Sequence, residues 1–186
     1  MATLSDASWC DQFPGSSSVD DLVDPFKTNV NNFLAALNKA KASVSIQATY
    51  RPPERAFLMH YSYLVSNGTV APSAVPKMNG VDIDWVHKDA KGNVDLEASK
   101  KAASDMVAKY EIAYAPALAS RHTEKKAIDM DISWGGDLTI DKVDKTSTTI
   151  KSNPRTGDNT DLQAVGKGYG VIKLATDPPH WSSDGH

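Results

Sequence analysis

Ala127-Ile128-Asp129-Met130-Asp131-Ile132 decides how this chain of 186 residues is read. Apolar and acidic side chains alternate along it, which is the period of a strand with one buried face. Ile128, Met130 and Ile132 suit a core, and Asp129 and Asp131 suit an open face. Upstream, Ser120-Arg121-His122 is separated from the strand by the polar stretch Thr123-Glu124-Lys125-Lys126. A turn there can bring His122 back beside the acidic face. The alternation by itself does not choose between Asp129 and Asp131.

Downstream lies Asp177-Pro178-Pro179-His180-Trp181. A Pro-Pro step favours the polyproline conformation, with three residues per turn and ~3.1 Å of rise per residue. Asp177 and His180 would then project to one side, roughly 9 Å apart along the backbone. Two imidazoles and one carboxylate, with a further position open to water, form the ligand pattern of a catalytic zinc site. Asp177 is placed to take a proton from that water.

The remaining pattern predicts helices and short strands. Asp24-Pro25 can start a helix, with aspartate capping free amides and proline at the first position. Phe26, Val30, Phe33, Leu34 and Leu37 follow at helical spacing. Residues 43–49 alternate as a strand, broken by Tyr50-Arg51-Pro52-Pro53. A second helix then carries Phe57, Leu58, Tyr61, Leu64 and Val65 as far as Asn67-Gly68. Val81, Ile83 and Trp85 suit a short strand, and residues 96–110 a helix. Residues 135–160 read as an elaborated loop or hairpin, 160–167 as a helix and 169–174 as a strand. Such mixing predicts an α+β fold, a small antiparallel sheet flanked by helices with the zinc site on its open face. No linker or repeat is evident, so one domain over 1–186 is expected, its first 20 residues irregular.

Composition narrows the function. The formal charge is −3, from 20 basic and 23 acidic residues. No basic excess exists to neutralise phosphates, so a nucleic-acid partner is not expected. Mean hydropathy is −0.40, and no apolar run reaches the length of a membrane span. The single cysteine, Cys10, excludes an intrachain disulfide and a thiolate zinc cluster. Any metal must be held by nitrogen and oxygen.

Ser120-x-His122-x6-Asp129 followed by Asp177-x2-His180-Trp181 resembles the M15 family of zinc peptidases that act on peptidoglycan. Tyr50-Arg51-Pro52 and Gly168-Tyr169-Gly170-Val171 extend the resemblance, which covers about residues 43–186. It implies Zn2+ on His122, Asp129 and His180, and so picks Asp129 over Asp131. It also implies Asp177 as general base, Arg51 polarising the scissile carbonyl and Ser120 supporting the site. Asp177 with two prolines before His180 looks most like the endolysin branch, the L-alanyl-D-glutamate endopeptidases. One position departs, because Lys125 stands where the family usually has glycine.

The implied substrate is the peptidoglycan stem peptide. A D-Ala-D-Ala carboxypeptidase or dipeptidase is the alternative within the family, and a non-catalytic, zinc-stabilised module that binds wall peptide the alternative outside it. The N-terminus, MATLSDASWCDQFPGSSSVDD, has no basic stretch leading into an apolar one, so synthesis in the cytoplasm without a signal peptide is expected. Reaching the wall then requires a holin pore or a secretion apparatus, the latter with an immunity protein as a second partner. A monomer is expected. His60 sits in a helical pattern as a structural residue, and His87 and His186 have no partner spacing. Trp9, Trp85 and Trp134 suit a glycan groove or, by default, core packing.

Overall fold

The computed structural model describes residues 2–186. In chain order the described residues form β1 (Thr3–Leu4), α1 (Phe26–Lys39), β2 (Ser43–Ala48), α2 (Pro53–Ser66), β3 (Ile83–Asp84) and α3 (Leu96–Tyr110). There follow β4 (Ala127–Ser133), β5 (Leu138–Asp141), β6 (Ser147–Ile150), α4 (Thr160–Gly168), β7 (Ile172–Lys173) and β8 (His180–Ser182). The fold is α+β, with a four-stranded antiparallel sheet flanked by helices. Among the described residues, no helix is long and apolar enough to cross a membrane.

The chain divides into two compact units. One comprises the residues up to Pro14 together with Pro52–Ala119. Its core joins Trp9, Phe57, Leu58, Val65, Trp85, Ala103 and Met106. Trp9 and Trp85 are 4% exposed, so packing takes them and they line no groove. The N-terminal segment is more regular than expected, because β1 pairs in parallel with β3. His60 lies on α2, where its Nδ1 donates to the Pro116 carbonyl at 2.8 Å.

The other unit comprises Gly15–Arg51 and Ser120–His186. Its sheet runs in the order β2-β4-β8-β7. On β4 the expected alternation holds: Ile128, Met130 and Ile132 are buried, Asp129 is half-buried and Asp131 exposed. Phe33 and Leu37 of α1, Leu162 of α4 and Trp181 of β8 close the core over that face. Residues 135–160 resolve into the β5–β6 hairpin, and Leu138, Ile140 and Ile150 insert into the same core. Trp181 is fully buried against Phe33, with ring centroids 5.7 Å apart. Truncating such a residue costs about 3–5 kcal/mol, so Trp181 anchors the strand that carries His180.

Asp24 caps α1 one residue earlier than a standard N-cap. Its carboxylate accepts from the Thr28 amide at 3.2 Å and the Thr28 hydroxyl at 2.7 Å.

A candidate metal centre

Asp129 lies opposite His180 across the β4–β8 ladder. On its other side Asp129 registers with Ala48 of β2, just past a shift between Ile46 and Ala48. That bulge puts an extra β2 residue against β4 and changes how the strand ends. The chain beyond it is pinned to the turn before β4. The Arg51 amide donates to the His122 carbonyl at 3.3 Å, and the Lys125 amide donates to the same oxygen at 3.2 Å. Lys125 takes φ +60°, the left-handed conformation that closes this turn and is easiest for glycine. Its ammonium lies 4.5 Å from the centre of the Tyr50 ring.

Three ligand atoms converge. His122 Nε2 is 3.1 Å from Asp129 Oδ1 and 3.2 Å from His180 Nδ1, and His180 Nδ1 is 3.1 Å from Asp129 Oδ1. A tetrahedral ion with bonds of ~2.0–2.1 Å separates its ligands by about 3.3 Å, so the triangle fits. The outer nitrogens explain the orientation of the rings. His122 Nδ1 donates to the Thr49 carbonyl at 3.2 Å, and His180 Nε2 donates to the His186 backbone oxygen at 3.1 Å. Each ring thus carries its proton on the outside and turns a lone pair inward. Two lone pairs and a carboxylate at this spacing repel one another unless a cation lies between them. His122, Asp129 and His180 can therefore hold a metal ion.

The charge balance agrees. Burial works against ionised Asp129, but hydrogen bonds and attraction from His122 and His180 outweigh it and hold the carboxyl well below its ordinary range. Burial likewise disfavours His180 as a cation, yet the hydrogen bond and charge of Asp129 prevail and raise its affinity for a proton. In the absence of metal, a proton takes the metal's part.

Asp131, the alternative carboxylate, is exposed and accepts from Gln47 Nε2 at 3.1 Å, away from the two histidines. Asp177 lies at the head of the segment leading into His180, but Pro178-Pro179 does not run as polyproline. The His180 amide donates to the Asp177 carbonyl at 3.0 Å, closing a β-turn. The extended form leaves its carbonyls to water. Here the Pro179 carbonyl accepts from the Met130 amide at 2.8 Å, and the Asp177 carbonyl accepts from Lys173 Nζ at 2.6 Å. Strand pairing has overridden the Pro-Pro preference and drawn Asp177 in towards His180. The negative charge of Asp177 is felt there, favouring His180 as a cation. Among the described residues none hydrogen-bonds the Asp177 carboxylate. Arg51 is half-buried directly after Tyr50. Ser120 opens the His122 turn, its carbonyl accepting from the Thr123 hydroxyl at 2.8 Å. Its own hydroxyl oxygen is buried without a partner among the described residues.

Several supporting groups escaped the sequence reading. Thr49 and His186 act through backbone oxygens, which leave no side-chain signature. Arg121, next to His122, grips Asp184 through two nitrogens, one at 3.1 Å from Oδ1. Asp184 accepts from the His186 amide at 3.3 Å, which helps fix the oxygen that orients His180. Lys173 is 9% exposed and unpaired in any sequence pattern. Burial pulls its ammonium below the ordinary lysine range, against the attraction of Asp158, Asp177 and Asp129. Compared with known proteins, the chain matches no family model and no curated protein.

Proposed function

We propose that this chain is a zinc-dependent peptidoglycan peptidase that hydrolyses an amide bond of the wall stem peptide, between L-Ala and D-Glu. The observation that carries this reading is the inward convergence of His122 Nε2, Asp129 Oδ1 and His180 Nδ1 at 3.1–3.2 Å. Beside it lies an acid, Asp177, whose carboxylate no described residue engages by a hydrogen bond. The order and spacing of these residues, which resemble the wall-peptidase pattern, support the choice of substrate.

Zinc held there would supply Lewis acidity, making water a nucleophile at neutral pH and polarising a carbonyl. The protein's own groups do the rest. Asp177 accepts the proton of the attacking water as the new C–O bond forms. It returns that proton to the amine nitrogen as the C–N bond breaks. Arg51 faces the charge that gathers on the carbonyl oxygen and stabilises it. His122 and His180 stay neutral, with their outer protons committed to Thr49 and His186. Ser120, whose hydroxyl has no partner among the described residues, supports the His122 turn and keeps a donor at its edge.

Purified protein, never exposed to chelator, should contain zinc and should digest isolated peptidoglycan. Mass spectrometry of the fragments should find a new L-Ala carboxyl end and a new D-Glu amine. Release of free D-Ala would assign the carboxypeptidase reaction instead. Two histidines and a carboxylate are also the ligand set of non-haem iron oxygenases. Recovery of iron with no wall hydrolysis would overturn the proposal.

A further inference from the structure

Lys173 is a buried cation that the mechanism above does not use. It follows Ile172 on β7 and is 9% exposed. An ammonium taken from water is expensive unless its hydrogen bonds are replaced. Nζ donates to the Leu174 carbonyl at 2.7 Å and to the Asp177 carbonyl at 2.6 Å. These are the carbonyls that frame the reversal into β8. The Leu174 oxygen also accepts from the Asp177 amide at 3.2 Å, and the Asp177 oxygen from the His180 amide at 3.0 Å. Pro178 and Pro179 have no N–H to give, so the reversal is short of donors. The lysine makes up the deficit from inside the fold, and it lies opposite Trp181 in the β7–β8 ladder.

We propose that Lys173 is a positioning residue of the metal centre. By holding the Leu174 and Asp177 carbonyls it fixes the one turn that carries both the metal ligand His180 and the acid Asp177. The ligand half of this proposal needs only the metal site. The acid half rests on the peptidase reading.

The test compares Lys173→Met, which keeps the apolar stem and loses the ammonium, with Lys173→Arg, which keeps charge and donors. Zinc affinity is read by competition with a chelator. The coordination sphere is read from the visible spectrum of the Co2+-substituted protein. Turnover of wall fragments at saturating zinc gives kcat and KM. Lys173→Met should lose about 10–100-fold in zinc affinity, the range for removing an outer-shell partner, and its Co2+ spectrum should shift. At saturating zinc its kcat should fall by roughly tenfold or more with KM little changed, as for a mispositioned base. Lys173→Arg should restore most of each. A folded Lys173→Met with wild-type zinc affinity, Co2+ spectrum and kcat would make Lys173 a packing residue only. Should Lys173→Met fail to fold, Lys173→Gln, which keeps one neutral donor group, must show the same losses in weaker form. An unchanged Lys173→Gln overturns the proposal. If the wild-type protein cuts no wall fragment, the peptidase reading fails, while affinity and spectrum still decide whether Lys173 positions His180.

Discussion

Asp129 and His180 are directly opposed on antiparallel neighbours β4 and β8, and their side chains meet at 3.1 Å. Opposed residues in such a ladder hold their Cβ atoms about 4.5–5.5 Å apart. Two of the three ligands are thus set by strand register, which a buried sheet face specifies strongly. A one-residue slip would send Asp129 into the core, so the site and the core share one register. His122 stands on a turn outside the sheet, and hydrogen bonds to Thr49 and Arg51 tie that turn to the end of β2.

Register separates Asp129 from Asp131. Asp129→Asn should lose metal affinity by more than the roughly 10–100-fold that an outer partner costs. Asp131→Asn, which removes an exposed contact with Gln47, should bind metal as the wild type does. Titration of both metal-free variants checks this, and equal losses would assign the wrong carboxylate.

Asp177→Ala should retain metal and fold. Substitutions at sites without buried contacts stay within about 0.5 kcal/mol in stability, whereas loss of a general base costs about 10²–10⁴ in rate. Parallel melting and wall-fragment assays read the two separately. Wild-type turnover in this variant would remove Asp177 from the mechanism.

Lys125 combines a left-handed backbone with a ring contact. Lys125→Ala keeps the strained φ and loses the contact with Tyr50, an interaction of about 0.5–1 kcal/mol at exposed sites. Lys125→Gly loses the same contact but relieves roughly 1 kcal/mol or more of strain. The glycine variant should therefore be more stable than the alanine variant by about 1 kcal/mol, measured by denaturant unfolding. The opposite order would contradict the turn geometry.

Gly166 of α4 is required by its neighbours. A Cβ there would meet Trp181 Cζ3 at 2.8 Å and the Val171 carbonyl oxygen at 2.9 Å. The second contact is backbone and cannot swing aside. Gly166→Ala should destabilise the protein by about 1–3 kcal/mol, and by displacing Trp181 it should also weaken metal binding through His180.

The pH dependence follows from His180. Its proton affinity in the folded, metal-free protein is raised, despite burial, by Asp129. A raised value means that this proton stabilises the fold below the ordinary histidine pKa of ~6.5. That contribution is lost as pH rises through the raised value. Metal binding requires the neutral ring and displaces the same proton. The gain in melting temperature on adding zinc should therefore grow between about pH 5 and 8. A gain that is flat across this range would exclude His180 as a ligand.

Much of this was legible in the residues. The period-two pattern of Ala127–Ser133 gave the buried and open faces of β4, because a pleated strand leaves no other outcome. Helical spacing found α3 over Leu96–Tyr110, since Ala102, Ala103, Met106 and Tyr110 recur on one buried side. Less could be read where tertiary contacts outvote local preference. Pro178-Pro179 favours polyproline in isolation, but hydrogen bonds from Met130, Lys173 and His180 bend it into a turn. The tryptophans at 9 and 85 carry no signal that distinguishes a groove from a core. Thr49 and His186 orient the ligands through main-chain oxygens, which any residue could supply. The bulge on β2 is a matter of pairing and has no signature within one strand.

Elemental analysis of unchelated protein beside its His180→Ala variant addresses the metal centre itself. The expected result is stoichiometric zinc in the wild type and its loss from a variant that still folds. Wild-type protein without bound metal, or a variant that keeps its full complement, would contradict a site built from His122, Asp129 and His180.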